Sequence, residues 1–229
     1  MGQLHRSAQA HCLATFCVEM IDFLLNPPWL PDANVMRWSL HGAWALVLGA
    51  VTSTVSRRLV NSWRWSLTVA VMAWTLLSGT MSPAHILGLA FQSPSWTSVV
   101  LCGMVLWRDW KRQGETDFSS DAPANQVGLV LPIVVMGWVL LLDTLAVWPV
   151  SVYAWGFGSA AFASAALVVL LMWMVNGTPL VYWAALVLAL YGLTRLPTGN
   201  VWDALLDPWL WIILHVRWLI NGVRGRFRE

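Results

Sequence analysis

Residues 127–147 read VGLVLPIVVMGWVLLLDTLAV, apolar throughout except for Asp143, Thr144 and the turn-forming Pro132 and glycines. A bilayer's hydrocarbon core, about 30 Å thick, takes about 20 such residues wound as a helix. This run is long enough. Its neighbours repeat the pattern at 38–56, 65–82, 151–175, 179–196 and 201–221. The sequence therefore predicts an all-α fold, a polytopic transmembrane helical bundle.

Two segments decide whether the bundle has seven or eight spans. Residues 83–107 contain two apolar parts, 84–91 and 96–107, divided by Gln92, Ser93, Pro94 and Ser95. Neither part spans alone. Together they form one proline-kinked span or a re-entrant pair, and the single kinked span is the reading adopted. Residues 8–25 are short and carry Glu19 and Asp22, so they are a marginal span or an interfacial amphipathic helix.

The connections are tight turns rich in Pro, Gly and Asn: 26–32, 148–149, 176–179 and 196–200. Only 108–126, RDWKRQGETDFSSDAPANQ, is a hydrophilic loop of any length. The chain reads as a single integral membrane domain over 1–229, with halves 1–107 and 127–229 joined by that loop.

Lys and Arg set the orientation. Arg57, Arg58 and Arg64 form one cluster, Arg108, Lys111 and Arg112 a second, and Arg217, Arg224, Arg226 and Arg228 a third. With one crossing per run, all three fall on the same side. The positive-inside rule makes that side cytoplasmic, and the C-terminus with it. The expected location is a bacterial inner membrane.

Composition agrees with lipid as the main solvent. Hydrophobic residues make up 58% of the chain and charged residues 10%, against about 25% charged in an average soluble domain. Tryptophan reaches 18 residues, more than Phe (7) and Tyr (3) together. Trp63, Trp65, Trp107, Trp110 and Trp218 lie beside the basic clusters, and Trp29, Trp38, Trp96, Trp148 and Trp202 flank the opposite ends. Indoles favour that boundary because an apolar ring carries one N–H donor. Trp44, Trp74, Trp138, Trp173 and Trp183 sit inside the runs, where contact with lipid, pigment, cofactor or a neighbouring subunit is the reading to test.

Candidate chemistry gathers at one depth. In this orientation His41, His85, Asp143, Arg195, Asp203 and Asp207 all lie toward the outer leaflet. An ionisable group in hydrocarbon costs about 2.5–3.5 kcal/mol at a helix centre, so such groups face water or one another. They form either a polar outer cluster or a set of groups snorkelling to the interface. Arg195 with Asp203 or Asp207 could simply pin a short turn. His41 and His85 are the one pair placed to ligate a haem from facing helices, and no sequence pattern supports them further. Gly156, Ala160 and Ser164 recur at four-residue spacing, as do Ala161 and Ala165, which suggests close helix packing.

Other chemistry is not indicated. Cys12, Cys17 and Cys102 form no CxxC pair and no zinc spacing. GxSxG, HExxH and phosphate-loop motifs are missing, and topology explains the basic clusters without nucleic acid. No cleaved signal peptide is read at the start, and no cofactor or metal is assigned. The expected function is a non-enzymatic accessory, assembly or scaffold subunit of a larger membrane complex, with the bilayer and other membrane subunits as partners. A small transporter with an outer polar vestibule is the alternative, and a haem- or quinone-linked redox subunit the third.

Overall fold

Asp32 starts the first helix. Its carboxylate accepts the backbone N–H of Asn34 at 3.2 Å, satisfying one of the free donors of the first turn. The computed structural model describes residues 31–111, 127–147, 149, 151–175 and 179–226; within these, the side chains of 127–132, 175, 179–180 and 221–226 are excluded. Segment 8–25, most of the loop 108–126 and the last basic residues lie outside the described residues.

The first half holds α1 (Ala33–Val55), a 3-10 turn (Ser56–Arg58), α2 (Asn61–Leu76), α3 (Pro83–Phe91) and α4 (Trp96–Lys111). The second holds α5 (Val127–Thr144), α6 (Val152–Trp155), α7 (Ser159–Val175), α8 (Pro179–Thr194), α9 (Val201–Leu205) and α10 (Pro208–Arg226). All regular structure among the described residues is helical.

Among the described residues no helix is long and apolar enough to cross a membrane. Local chemistry explains much of this. The helix α1 is 23 residues long but carries Arg37, Ser39 and His41 in its first half. The run 151–175 is cut at Gly156–Gly158 into α6 and α7, and the run 201–221 is cut at Leu206–Asp207, before Pro208. The run 83–107 is cut at 92–95, where Gln92 takes a left-handed φ of 61° and Pro94 prevents a continuous ladder.

The 83–107 segment nevertheless carries the chain from one end of the first half to the other. Short α3 lies against the early part of α1, with Gly88 beside Leu40. Then α4 runs alongside α1 in the same direction. Val99 shares a cavity wall with Ala43, Leu106 reaches Gly49, and Asp109 bonds Ser53. Both α2 and α4 therefore meet α1 near its C-terminal end.

What is buried is unusual. The largest fully buried side chains are Tyr191, Val201, Asn200, Thr68, Thr75, Ser53 and Ser95, most of them polar. Exposed large apolar residues include Leu193 (84% exposed), Leu89 (78%), Trp63 (73%) and Met174 (71%). In the C-terminal part of α7, every side chain from Leu170 to Met174 is more than a third exposed. Apolar side chains are buried as well, Trp44, Val99, Leu188 and Leu196 among them.

Buried hydroxyls are satisfied locally. Thr68 Oγ1 donates to the Arg64 carbonyl at 2.8 Å and Thr75 Oγ1 to the Val71 carbonyl at 2.7 Å. A small apolar core of Ala161, Leu188, Tyr191, Val201 and Ala204 holds α7, α8 and α9 together.

Candidate functional site

The six predicted outer residues lie at one end of the molecule, but they do not surround a shared space. They fall into three sets of bonds and one residue apart.

The first set is built on Asp143, at the C-terminal end of α5. Its carboxylate accepts the Ser151 hydroxyl at 3.0 Å and the backbone N–H groups of Val152 (3.1 Å) and Tyr153 (2.7 Å). Ser151 Oγ in turn accepts the Ala154 N–H at 3.1 Å, so α6 is capped by both groups. Tyr153 then donates its phenol to Asp203 Oδ2 at 2.7 Å, and Thr198 donates to the same oxygen. Asp143 and Asp203 are joined through one residue of this short helix, Tyr153.

Non-helical backbone in this region is also satisfied. Asn200 Nδ2 donates to the Tyr153 carbonyl at 3.0 Å, and Trp202 Nε1 to the Val152 carbonyl at 3.0 Å. Val201 N–H donates to the Gly156 carbonyl at 2.9 Å. Gly156 ends α6 directly beneath Asn200 and Trp202, and a Cβ there would overlap both. Ala160 and Ser164 lie on the next helix, α7, and face outward. The four-residue stripe is therefore split between two helices. Close packing on α7 falls instead on Ala161 and Ala165, one position around.

Arg195 stands at the edge of this set. It has a φ of 54°, and its guanidinium lies 5.3 Å from the Phe162 ring centroid and 5.4 Å from that of Tyr191. Its Nη1 is buried without a hydrogen-bond partner. Asp203 is occupied by Tyr153 and Thr198, and Asp207 by Ser95, so the expected pairing of Arg195 with either acid is replaced by stacking on rings.

The second set is centred on Asp207. Its Oδ2 accepts Ser95 N–H at 3.0 Å and Ser95 Oγ at 2.8 Å, and its Oδ1 accepts Leu210 N–H at 2.7 Å. One carboxylate thus caps α10 and ties it to the break between α3 and α4, joining the two halves. A small pocket between Ser39 and Ala43, Ser93 and Pro94, and Leu196 and Pro197 has a volume of about 10 Å³. That holds about one water molecule.

The third set involves His41. Its Nδ1 lies 2.8 Å from the Thr75 carbonyl, which can only accept, so Nδ1 carries the proton and donates. Ser82 Oγ donates to the same carbonyl at 2.9 Å. His85 is half-buried on α3, apart from these bonds. Among the described residues no three or more His, Cys, Asp or Glu come together as a metal site.

Residue-by-residue reading of the sequence missed a second constellation at the opposite end. Arg64 Nε donates to the Ser53 carbonyl at 2.9 Å, and its Nη2 to Ser53 Oγ at 2.6 Å and to Asp109 Oδ2. Ser53 Oγ also donates to Asp109 Oδ2 at 2.9 Å. Arg57 approaches Asp109 Oδ1 at 3.7 Å. This clamp joins α1, α2 and α4 and brings two of the basic clusters to one end. The available signal was Asp109 itself, a single acid inside RDWKR.

The tryptophans also divide by role. Trp44 is buried, and its Nε1 donates to the Gln92 carbonyl at 2.9 Å, at the α3–α4 break. Trp211 Nε1 donates to the Val134 carbonyl at 3.1 Å, and its ring fills the space above Gly137. Trp74, Trp138, Trp173 and Trp183 are exposed.

No protein-family model matches this sequence, and comparison with curated proteins and with solved structures finds no match.

Proposed function

We propose that this chain is a multi-pass, non-enzymatic subunit of a membrane complex, serving as an accessory, assembly or scaffold component. The proposed setting is a bacterial inner membrane with the C-terminus cytoplasmic and seven or eight passes. The observation that carries the membrane part is the exposed apolar surface: large side chains such as Leu89, Leu193, Trp63 and Met174 stand outside, while the hydroxyls of Ser53, Thr68, Thr75 and Ser95 are enclosed. In water such a surface would aggregate. Against lipid tails it is the stable arrangement, and interior hydroxyls hold helices together.

Short helices fit this setting when their breaks are satisfied. A helix of 16 or 17 residues, such as α7 or α8, is about 24–26 Å long, just under the hydrocarbon thickness. Irregular backbone is tolerated at membrane depth where protein covers it and supplies partners. Here Trp44, Trp202, Asn200 and Asp207 do so at the breaks near 92–95, 156–158 and 207.

The scaffold part rests on how the acids are used. Asp143, Asp203 and Asp207 are each consumed in capping or cross-linking bonds, and the small pocket between Ser39, Pro94 and Pro197 is lined by none of them. A transport vestibule would instead leave such carboxylates facing an open space. Two experiments separate the parts. Release of the protein from membranes by alkaline carbonate would refute embedding. Purification in mild detergent as a partner-free monomer would refute the subunit role and leave embedding intact.

A further inference from the structure

The end of the first half where α1 and α4 finish and α2 begins is strongly cationic. Arg57, Arg58, Arg64, Arg108 and Lys111 gather there, and Asp109 is the one carboxylate among the described residues. That carboxylate is already committed: Oδ2 serves Arg64 and Ser53, and Oδ1 faces Arg57. Arg58, Arg108 and Lys111 are exposed and have no described carboxylate partner. Unpaired cations that stay in water repel one another, and an anionic surface relieves that repulsion.

Exposed indoles surround the same cations. Trp63, Trp107 and Trp110 are more than half exposed. Lys111 Nζ sits 5.2 Å from the Trp107 ring centroid, and Trp110 packs edge-on against Trp65, whose ring lies under Arg64. Indoles at this level place the charges at headgroup depth. The opposite end differs: Asp32, Asp143, Asp203 and Asp207 outnumber Arg37 and Arg195.

We infer that Arg58, Arg108 and Lys111, held in a frame of Trp63, Trp107 and Trp110, form a binding surface for anionic phospholipid headgroups. The inference rests on the membrane reading above and names the lipid chemistry that one end selects. Phosphate oxygens would meet the guanidinium and ammonium groups, and the acyl chains would run along the exposed apolar faces of α2 and α4. Attraction of a juxtamembrane cation to an anionic leaflet corresponds to roughly a five-fold gain in binding per charge, and it is screened by salt.

The test uses full-length protein equilibrated in detergent with equimolar phosphatidylcholine and phosphatidylglycerol. The two lipids that copurify are quantified by mass spectrometry. Enrichment of phosphatidylglycerol is expected for the wild type, for an Arg58→Lys, Arg108→Lys, Lys111→Arg variant, and for Arg37→Gln at the other end. The Arg58→Gln, Arg108→Gln, Lys111→Gln variant is expected to bind lipid near the input ratio. Enrichment that survives this variant overturns the inference, as does a wild type that binds both lipids at the input ratio; in either case the membrane reading stands. A wild type that retains neither lipid refutes the membrane reading as well. If the glutamine variant does not fold, the wild type is titrated from low salt to about 1 M, where the screening length falls to about 3 Å. Enrichment must disappear across that range, and its persistence refutes the inference.

Discussion

The two ends of the bundle solve the same problem differently. At the basic end one carboxylate joins three helices: Asp109 pairs with Arg64 and, more loosely, with Arg57, and Ser53 bonds both Arg64 and Asp109. At the acidic end the carboxylates Asp143 and Asp207 take backbone N–H groups, and the unpaired cation Arg195 rests on aromatic rings. The basic end clamps continuous helices to one another. The acidic end repairs broken ones. Satisfied charge is thus used where helices must cross, and satisfied backbone where they must stop.

Breaking the ion pair is expected to have the largest effect. Asp109→Ala leaves Arg64 mostly buried without a counter-charge and strips one partner from Ser53. A loss of about 3–5 kcal/mol is expected, read as a large fall in thermal midpoint in detergent. Replacing both members, Arg64→Met with Asp109→Leu, should recover much of that loss. If the double variant is no better than the single, the cost lies in packing and not in an orphaned charge.

At the acidic end the corresponding lesion is Asp207→Ala. It removes two bonds to Ser95 and one to Leu210, all formed by a charged acceptor. A loss of about 2–3 kcal/mol is expected, with easier proteolysis between the halves. Loss of stability without any change in the cleavage pattern would mean that Asp207 acts only as a cap.

Gly156→Ala probes the repaired break. The added methyl meets Asn200 and Trp202, and an overpacking cost of about 1–3 kcal/mol is expected. Gly42→Ala, on a continuous helix with open space around it, is the contrasting control and should be neutral or slightly stabilising. Equal effects at the two glycines would erase the distinction between a continuous helix and a repaired break.

The smallest expected effect is Tyr153→Phe. One phenol bond to Asp203 is lost while Thr198 still serves that oxygen, so about 1 kcal/mol is expected from thermal unfolding. A much larger loss would mark Tyr153 as the keystone between Asp143 and Asp203.

Part of this was legible beforehand. The apolar runs located most of the helices, and Pro94 marked the break in 83–107, but the breaks at 156–158 and 206–207 fall inside runs that read as continuous. The charge map put three basic clusters on one side of a bilayer; the Arg64–Asp109 bond holds two of them at one end of the molecule. The stripe of Gly156, Ala160 and Ser164 was read on an unbroken helix; the helix ends at Gly156, where Asn200 and Trp202 fit against it, and Ala160 and Ser164 belong to the next one. Arg195 looked like a salt-bridge partner because two acids follow it closely. Those acids bond Tyr153 and Ser95, 50 and 112 residues away.

The sequence by itself determined the helical class, the excess of apolar surface and the polarity of the two ends. These are sums over many residues, and each local choice of Leu, Val, Trp or Arg adds to them independently. Only the tertiary structure decided which polar groups are partners. Ser53, Arg64 and Asp109 meet because α1, α2 and α4 finish or begin at one level, and Asp143 meets Ser151 because a helix ends opposite another's first turn. A hydrogen bond depends on about half an ångström of placement, and that placement is set by the packing of the helices.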